Sequence, residues 1–558
     1  MISPATRRIV GKPSSTAGHL RPVGCRPGCK SKQEVDRLRE QLERRNQRIA
    51  ELEKQVKEQQ KKIAEEEKKI TEGEKKITEG EKKITEGEKK IADLERRLAL
   101  RGRNSTNSSK PPSSDGLAGR ERKRGCGKPK SKKRRRSGGQ KGHPGHSRPL
   151  FAPEQVDRVV EVLPGSCGHC QKAFAGDASI LATNGEPWRY QVTELPEIKP
   201  LVTEYQMKTV IFPCCNKPTQ APLPAEVKGQ FGERLTAAIA YMKVRCNIPQ
   251  RPMQCLLEEV MGTPLSLGSM QKVWEEASAA VATPCEELKQ ALPEQPVLNC
   301  DETSSRTNKE KRWLWAFVAQ TFVYFSIEIS RSTEVLDRLL KQFSGILGTD
   351  RMASYLKFVK GKAEILMQFC WAHFKRDLLG ALEVARTVQG KRFCRDALAR
   401  EKKLFRLWHR FRNQTSSRGS PPLTRKQLIK KALPIQKQLL RMAKRNLDCK
   451  DKEARNLAMA LFEHNDKFFT FIHHEGVEPT NNVSERALRN HVQRRKISFG
   501  NRSRNGELAV ARLLSVHATC RLQKRSSLHY LTEAVRCYRA GKPAPLLLPA
   551  PSQLSRHL

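Results

Sequence analysis

One heptad position stays aliphatic through ten successive repeats near the N-terminus. Val35, Leu42, Ile49, Val56, Ile63, Ile70, Ile77, Ile84, Ile91 and Leu98 follow one another at seven-residue spacing without a break. That commits the stretch to a long helix with a single apolar seam, the a-position pattern of a left-handed coiled coil. β-branched residues at this position favour two parallel strands. The companion d positions are weaker: Leu38, Leu52 and Leu94 are apolar, but Arg45, Gln59, Glu66, Gly73, Gly80 and Gly87 are not. Each glycine costs up to about 1 kcal/mol relative to alanine in a helix. These glycines belong to an internal repeat, in which KKIAEEE, KKITEGE three times and KKIADLE succeed one another. The expectation is a pairing helix over residues 34–100, weak or extensible in its repeated half. A lone, charged, solvated helix is the alternative.

With 558 residues, and about 150 residues per domain, the chain has room for roughly three to four domains. Residues 1–33 read as a disordered N-terminus. Between 101 and 150 the chain turns polar, first with NSTNSSKPPSSDG and then with RERKRGCGKPKSKKRRRSGGQK, which includes Arg134, Arg135 and Arg136. The first run is too poor in apolar groups to build a core. The second predicts a disordered arm that tracks phosphates without reading sequence. Charge supports this: 106 Lys and Arg stand against 59 Asp and Glu, a formal net charge of +47. Such a surplus attracts a polyanion and releases its counterions. The 16 cysteines are scattered, and no secretory signal peptide is evident, so reduced thiols in a cytoplasm are expected. No apolar run approaches the roughly 20 residues needed to span a bilayer, which argues against a membrane role.

Residues 151–230 contain a CxxC, Cys167 and Cys170, and a second pair, Cys214 and Cys215, across a segment of β-like alternation. The pattern suits a structural zinc ion held by four thiolates. Adjacent cysteines are a strained way to supply the second pair, so His169, His143 or His146 are substitutes, and free thiols are the other reading. Residues 231–290 show an apolar helix around AAIAYMKV, then QRPMQCLLEEVMG, a turn near Gly262 and a further helix, SLGSMQKVWEEA. This is helix-turn-helix spacing, whose second helix can enter a major groove, although any small αα-hairpin gives the same pattern.

From 291 to 515 the pattern predicts an α/β domain. VLNCDET, RWLWAFVAQ and FVYFSIEIS read as three antiparallel strands. They are followed by a helix (STEVLDRLLKQF), a strand (GILGTD), a helix (ASYLKFVK), a strand (EILMQFCWAH) and a helix (FKRDLLGALEVAR). That is the order of a ribonuclease-H-like sheet of mixed strand direction. Long basic amphipathic helices between 387 and 471 interrupt it as a helical insertion. Asp301 is expected to end the first strand and Asp350 the fourth, so that neighbouring parallel strands bring both carboxylates to one edge. Two Mg²⁺ or Mn²⁺ ions held there by oxygen ligands can activate a water or a 3′-hydroxyl and stabilise the leaving oxygen. A lone Asp at either strand end would more simply cap a turn. Glu485 falls near the start of a later helix, followed by Arg486, Arg489, Arg494, Arg495 and Lys496. These cations can hold a DNA backbone while the carboxylate completes the metal site. An ion-paired surface carboxylate is the ordinary alternative. Residues 516–558 form a C-terminal element.

These residues carry a resemblance. From the coiled coil through NSSKPPSSD, GGQKGHPGH, the CxxC region, CDET, TDRMASY, CWAHFKRDL and NNVSERALR to TCRLQKRSSLHYLTEAV, the chain resembles the transposases of the insertion sequence 66 family. The resemblance covers most of the chain. It implies a cut-and-join enzyme with a DDE triad at Asp301, Asp350 and Glu485, acting on the terminal inverted repeats and target DNA of a bacterial mobile element. It further implies a cytoplasmic, nucleoid-associated protein working as a homodimer or higher oligomer, with or without accessory transposition proteins. The family's zinc region usually closes with a second CxxC, whereas Cys214 and Cys215 are adjacent here. The glycine-bearing heptads between 68 and 88 look like repeat expansion. Two rivals share parts of the pattern: a non-catalytic DNA-binding regulator, or relic, and a nuclease that only hydrolyses.

Overall fold

The computed structural model describes residues 32–101, 148–173, 188–412 and 421–548. The basic arm with Arg134, Arg135 and Arg136, and also His143 and His146, lie outside the described residues.

The first unit is one helix, α1, Lys32–Arg101, 70 residues long. Its heptad seam is open: Val35, Ile49, Ile70, Ile77 and Ile84 are all exposed, Ile84 to 65%. The helix is held by local chemistry. Glu58–Lys62, Glu72–Lys76, Glu79–Lys83 and Glu86–Lys90 pair at i,i+4 over 3.2, 3.1, 2.8 and 2.9 Å. Glutamate preceding lysine is the better orientation, and each exposed pair contributes about 0.3–0.5 kcal/mol.

Residues 148–173 and 188–224, the first described residues of the second unit, are almost all exposed. Among the described residues of the β-like alternation, a hairpin forms, β1 (Thr209–Phe212) antiparallel to β2 (Lys217–Gln220). Val192, Leu201 and Val202 are all more than 80% exposed, so no buried face drives them into a sheet.

Three helices follow: α2 (Glu233–Arg245), α3 (Gln250–Glu259) and α4 (Leu267–Ala280). They close over Ile239, Met242, Met253, Leu257, Leu265, Met270 and Val273. Gly262 makes the turn after α3 at φ +58°, and the Ser266 hydroxyl caps α4 by accepting from the Ser269 N–H at 3.0 Å. A short helix, α5 (Ala282–Gln290), leads into the sheet.

The sheet has five strands: β3 (Val297–Thr307), β4 (Glu310–Val318), β5 (Val323–Glu328), β6 (Ile346–Thr349) and β7 (Leu366–Phe369). Their spatial order is β5-β4-β3-β6-β7. β3, β4 and β5 are antiparallel neighbours, while β6 runs parallel to both β3 and β7. Helices α6 (Thr333–Leu339) and α7 (Ala353–Val359) connect successive strands, and α8 (Trp371–Val384) leaves β7.

Two local expectations change. β3 runs six residues beyond Asp301, because residues 301–307 continue to pair with β4. β7 stops at Phe369, so the CWAH run opens a helix with Cys370 at its N-cap. That turns His373 and Arg376 toward the sheet edge as helical neighbours of Trp371.

α9 (Val388–Phe411), α10 (Arg425–Lys444) and α11 (Lys452–Glu463) form a helical insertion after α8, which returns through α12 (Thr470–His473). Trp371 and Phe374 pack with tilted rings against Phe468, centroids 5.2 and 4.7 Å away, sealing the return against α8. Finally come α13 (Asn482–Ser498), α14 (Arg504–Leu522) and α15 (Ser527–Arg539). α14 covers the outer strand: Ser515 Oγ accepts from the Phe325 N–H at 2.9 Å, and Thr519 Oγ1 from the Val323 N–H at 3.0 Å. Satisfying those donors closes an edge that would otherwise template aggregation.

Candidate active site

Parallel pairing sets the first two acids. Val297, Leu298 and Asn299 of β3 stand opposite Ile346, Leu347 and Gly348 of β6. Asp301 lies two residues past the last β3–β6 pair and Asp350 directly follows β6, and the charge of Asp350 acts on Asp301. At Gly348 a Cβ would lie 2.4 Å from Asn299 Oδ1, so a larger residue would displace that side chain. Local bonds aim both carboxylates: Asp301 Oδ1 accepts from the Glu302 N–H at 3.0 Å, and Asp350 Oδ1 from the Met352 N–H at 2.9 Å. Burial pushes the Asp301 carboxyl well above the ordinary range, with further increments from Glu302, Asp350 and Glu485.

Glu485 reaches this edge from the first turn of α13. The start of that helix is tied to the sheet at several points. Trp371 N–H donates to the Pro479 carbonyl at 3.0 Å, and Asn481 N–H to Cys370 Sγ at 3.1 Å. The Asn481 side chain is the key connector, donating from Nδ2 to the Cys300 carbonyl at 2.7 Å and accepting from Ser484 Oγ at 2.9 Å. One buried carboxamide therefore bridges the residue before Asp301 and the residue before Glu485.

Glu485 Oε1 is occupied: Arg376 Nη2 donates to it at 2.7 Å, and His373 Nε2 lies 3.4 Å away. Burial, followed by the Arg376 charge, depresses His373, so Arg376 is the cation of this pair at neutral pH. Among the described residues, no three His, Cys, Asp or Glu side chains already surround one metal position. The cysteine region supplies no such group among the described residues. Cys167, Cys170, Cys214 and Cys215 are exposed free thiols. Each pair sits at its own tight turn, with Ser166 bridged to Ala173 in one and β1 paired to β2 in the other.

Residues that sequence reasoning missed are Glu302, Asn481, His373 and Arg376. Glu302 is a buried fourth acid whose Oε2 accepts from Tyr355 Oη at 2.9 Å. Burial and then repulsion from Asp350 push it up to about 7. Its signal was adjacency to Asp301 in CDET; the other three sat in quoted motifs but had no visible partner.

The basic residues of α13 divide by face. Arg486, Arg489 and Lys496 are exposed. Arg494 instead donates to the Lys243 carbonyl at 3.1 Å and lies 5.5 Å from the centre of the Trp274 ring, while Arg495 donates to Thr303 Oγ1 at 3.0 Å and Ser304 Oγ at 2.7 Å. Both guanidiniums are engaged inside the protein. Asn490 adds a bond from Nδ2 to the Val244 carbonyl at 2.6 Å, so the helix bearing Glu485 is also bolted to the three-helix unit.

The model described as the Transposase IS66 family matches residues 228–508, which spans the three-helix unit, the sheet and α13. A second, described as a family of unknown function (DUF6444), matches residues 29–149. The chain is also 24% identical over 422 residues to the uncharacterized protein y4qI of Sinorhizobium fredii (strain NBRC 101917 / NGR234), covering 70% of this chain and 74% of that protein. Among the described residues, no helix is long and apolar enough to cross a membrane.

Proposed function

The chain belongs to the IS66 family of transposases, and we propose that it cleaves the ends of a mobile element and joins them to target DNA at Asp301, Asp350 and Glu485. The observation that carries this reading is the mutual proximity of the three acids: Asp350, just past β6, and Glu485, tied to the residue before Asp301 through Asn481, both raise Asp301 by their charge. Three antiparallel strands followed by two parallel ones, in the order β5-β4-β3-β6-β7, support a ribonuclease-H-like catalytic domain.

A divalent cation fits this donor set. All the donors are carboxylate oxygens, which suit Mg²⁺ or Mn²⁺, and the crowding that raises Asp301 is what a cation would relieve. Asp301 and Asp350 would hold it first, because Glu485 Oε1 is engaged by Arg376. When bound, the metal supplies ionisation of an attacking water or 3′-hydroxyl and charge stabilisation at the leaving oxygen. The protein's own part is positional. Asn481 fixes the separation of the two chain segments, Arg376 orients Glu485, and Arg486 and Arg489 offer exposed cations to the DNA backbone. Base reading falls to α4, whose N-terminal turn, Ser266 to Gly268, is exposed. The open seam of α1 supports pairing with a second copy, which would bring two element ends together.

The test is incubation of the full chain with labelled element-end DNA and a target plasmid in Mg²⁺, beside Glu485→Gln. Joined product that vanishes in the variant is expected. Nicked but never joined ends would reduce the protein to a nuclease, and bound but uncut ends to a regulator.

A further inference from the structure

The helix that carries Glu485 ends in an unusual residue. Phe499 caps α13 in the left-handed conformation, φ 57° and ψ 10°, and is 87% exposed. Glycine or asparagine ordinarily fills that position, since a bulky side chain there is strained. The segment beyond it is firmly seated. Asn501 N–H donates to the Arg306 carbonyl at 2.8 Å and Asn308 N–H to the Asn501 carbonyl at 2.9 Å, binding the loop to the tip of the β3–β4 hairpin. Between them Gly500, at φ +111°, passes so close that a Cβ would lie 2.5 Å from the Arg306 carbonyl oxygen. A rigid support thus holds an aromatic ring outward in water.

Its surroundings are cationic. Arg486, Arg489, Gln493 and Lys496 recur at helical spacing on the exposed face of α13 and lead from Glu485 toward Phe499. Arg306, Lys309 and Arg502 are exposed on the segments clamped beside the ring. Scattered exposed apolar residues need no explanation. An aromatic ring held on a rigid, strained loop at the end of a basic ridge has the makeup of a single-strand stacking platform. Fourteen residues of helix separate the two positions, about 21 Å at 1.5 Å per residue, roughly six base steps.

We propose that Phe499 is a nucleobase-stacking site, which takes an unstacked base of the bound DNA about six steps from the reacting phosphate. The proposal rests on the transposase reading for the position of that phosphate. The ring supplies a face for any base, and the adjacent cations hold the backbone on either side of it. Sequence preference is not expected at this position, because every base has a stacking face.

The experiment compares binding of the full chain to two probes at one fixed salt concentration, by fluorescence anisotropy. One is a blunt duplex and the other the same duplex ending in a single-stranded thymine tract. Wild type is expected to prefer the tract. Phe499→Ala should lose that preference by about tenfold, with blunt-duplex affinity unchanged, and Phe499→Trp should keep it. Phe499→Gly separates binding from folding, since glycine suits the left-handed cap: its melting temperature should rise while the preference is lost. Equal preference in wild type and Phe499→Ala, or no preference in wild type, overturns the stacking site and leaves the transposase reading standing. Failure of wild type to bind either duplex overturns both.

Discussion

Arg376 Nη2 on α8 donates to Glu485 Oε1 on α13 at 2.7 Å, so the third acid of the candidate triad is ion-paired before any metal or DNA arrives. The pair both aims the carboxylate and competes with a metal for it. Arg376→Gln should therefore lower the Mg²⁺ concentration needed for half-maximal thermal stabilisation, because a nearby positive charge is gone. Cleavage at saturating Mg²⁺ should fall roughly tenfold or more as Glu485 loses its orientation. A variant with unchanged Mg²⁺ dependence and unchanged rate would show that the pair has no part in the site.

Glu302 gives a pH signature. Its carboxyl is raised in the folded protein to about 7 from 4.5. The native state therefore binds more protons than the unfolded state between these values, and stability falls as pH rises through them. The cost levels off above about pH 7 at roughly 3 kcal/mol. Glu302→Gln should accordingly raise the melting temperature at pH 8 without divalent cation and change little near pH 4. Melting curves at the two pH values check this, and an equal gain at both would refute it.

Asn481 connects three segments through two side-chain bonds and a backbone bond to sulfur. Asn481→Ala leaves the Cys300 carbonyl without its donor and should cost about 1–3 kcal/mol in denaturant unfolding. Cleavage should fall much further than stability, since Asp301 and Glu485 lose their common anchor. If activity per folded molecule is untouched, Asn481 serves the fold alone.

The two faces of α13 should behave differently in salt titrations of DNA binding. Arg486→Ala and Arg489→Ala should each reduce the dependence of log affinity on log salt by about 0.9, the signature of one lost phosphate contact. Arg494→Ala should leave that slope alone and lower the melting temperature, because its guanidinium serves the Lys243 carbonyl and the Trp274 ring. Reversal of that pattern would relocate the DNA-facing surface.

Pairing through α1 is checked by placing Asp at Ile63 and Ile70, neighbouring a positions of the open seam. Sedimentation should show the wild-type oligomer dissociating in the double variant, while the isolated charge pairs of the helix surface are unaffected. A wild type that is already monomeric at micromolar concentration would sink the pairing reading.

What the sequence determined by itself is local and periodic. Seven-residue spacing dictated α1, apolar runs of alternating type dictated the sheet strands, and Ser266 with Gly262 marked a helix start and a turn, because each depends on neighbours within a few residues. Asp350 and Glu485 were legible as acids at the ends of such elements, whereas Asp301, expected at a strand end, lies within β3. Which groups share a site was decided by contacts between residues far apart in the chain, which leave no periodic trace. Asn481 reaches Cys300 across 181 residues and Arg376 reaches Glu485 across 109. The same limit explains the basic residues of α13: charge placed all five together, but only packing against Lys243, Trp274, Thr303 and Ser304 separated Arg494 and Arg495 from those that face solvent. It explains the cysteines too, since spacing supplies four thiols and only a folded core could draw them to one point.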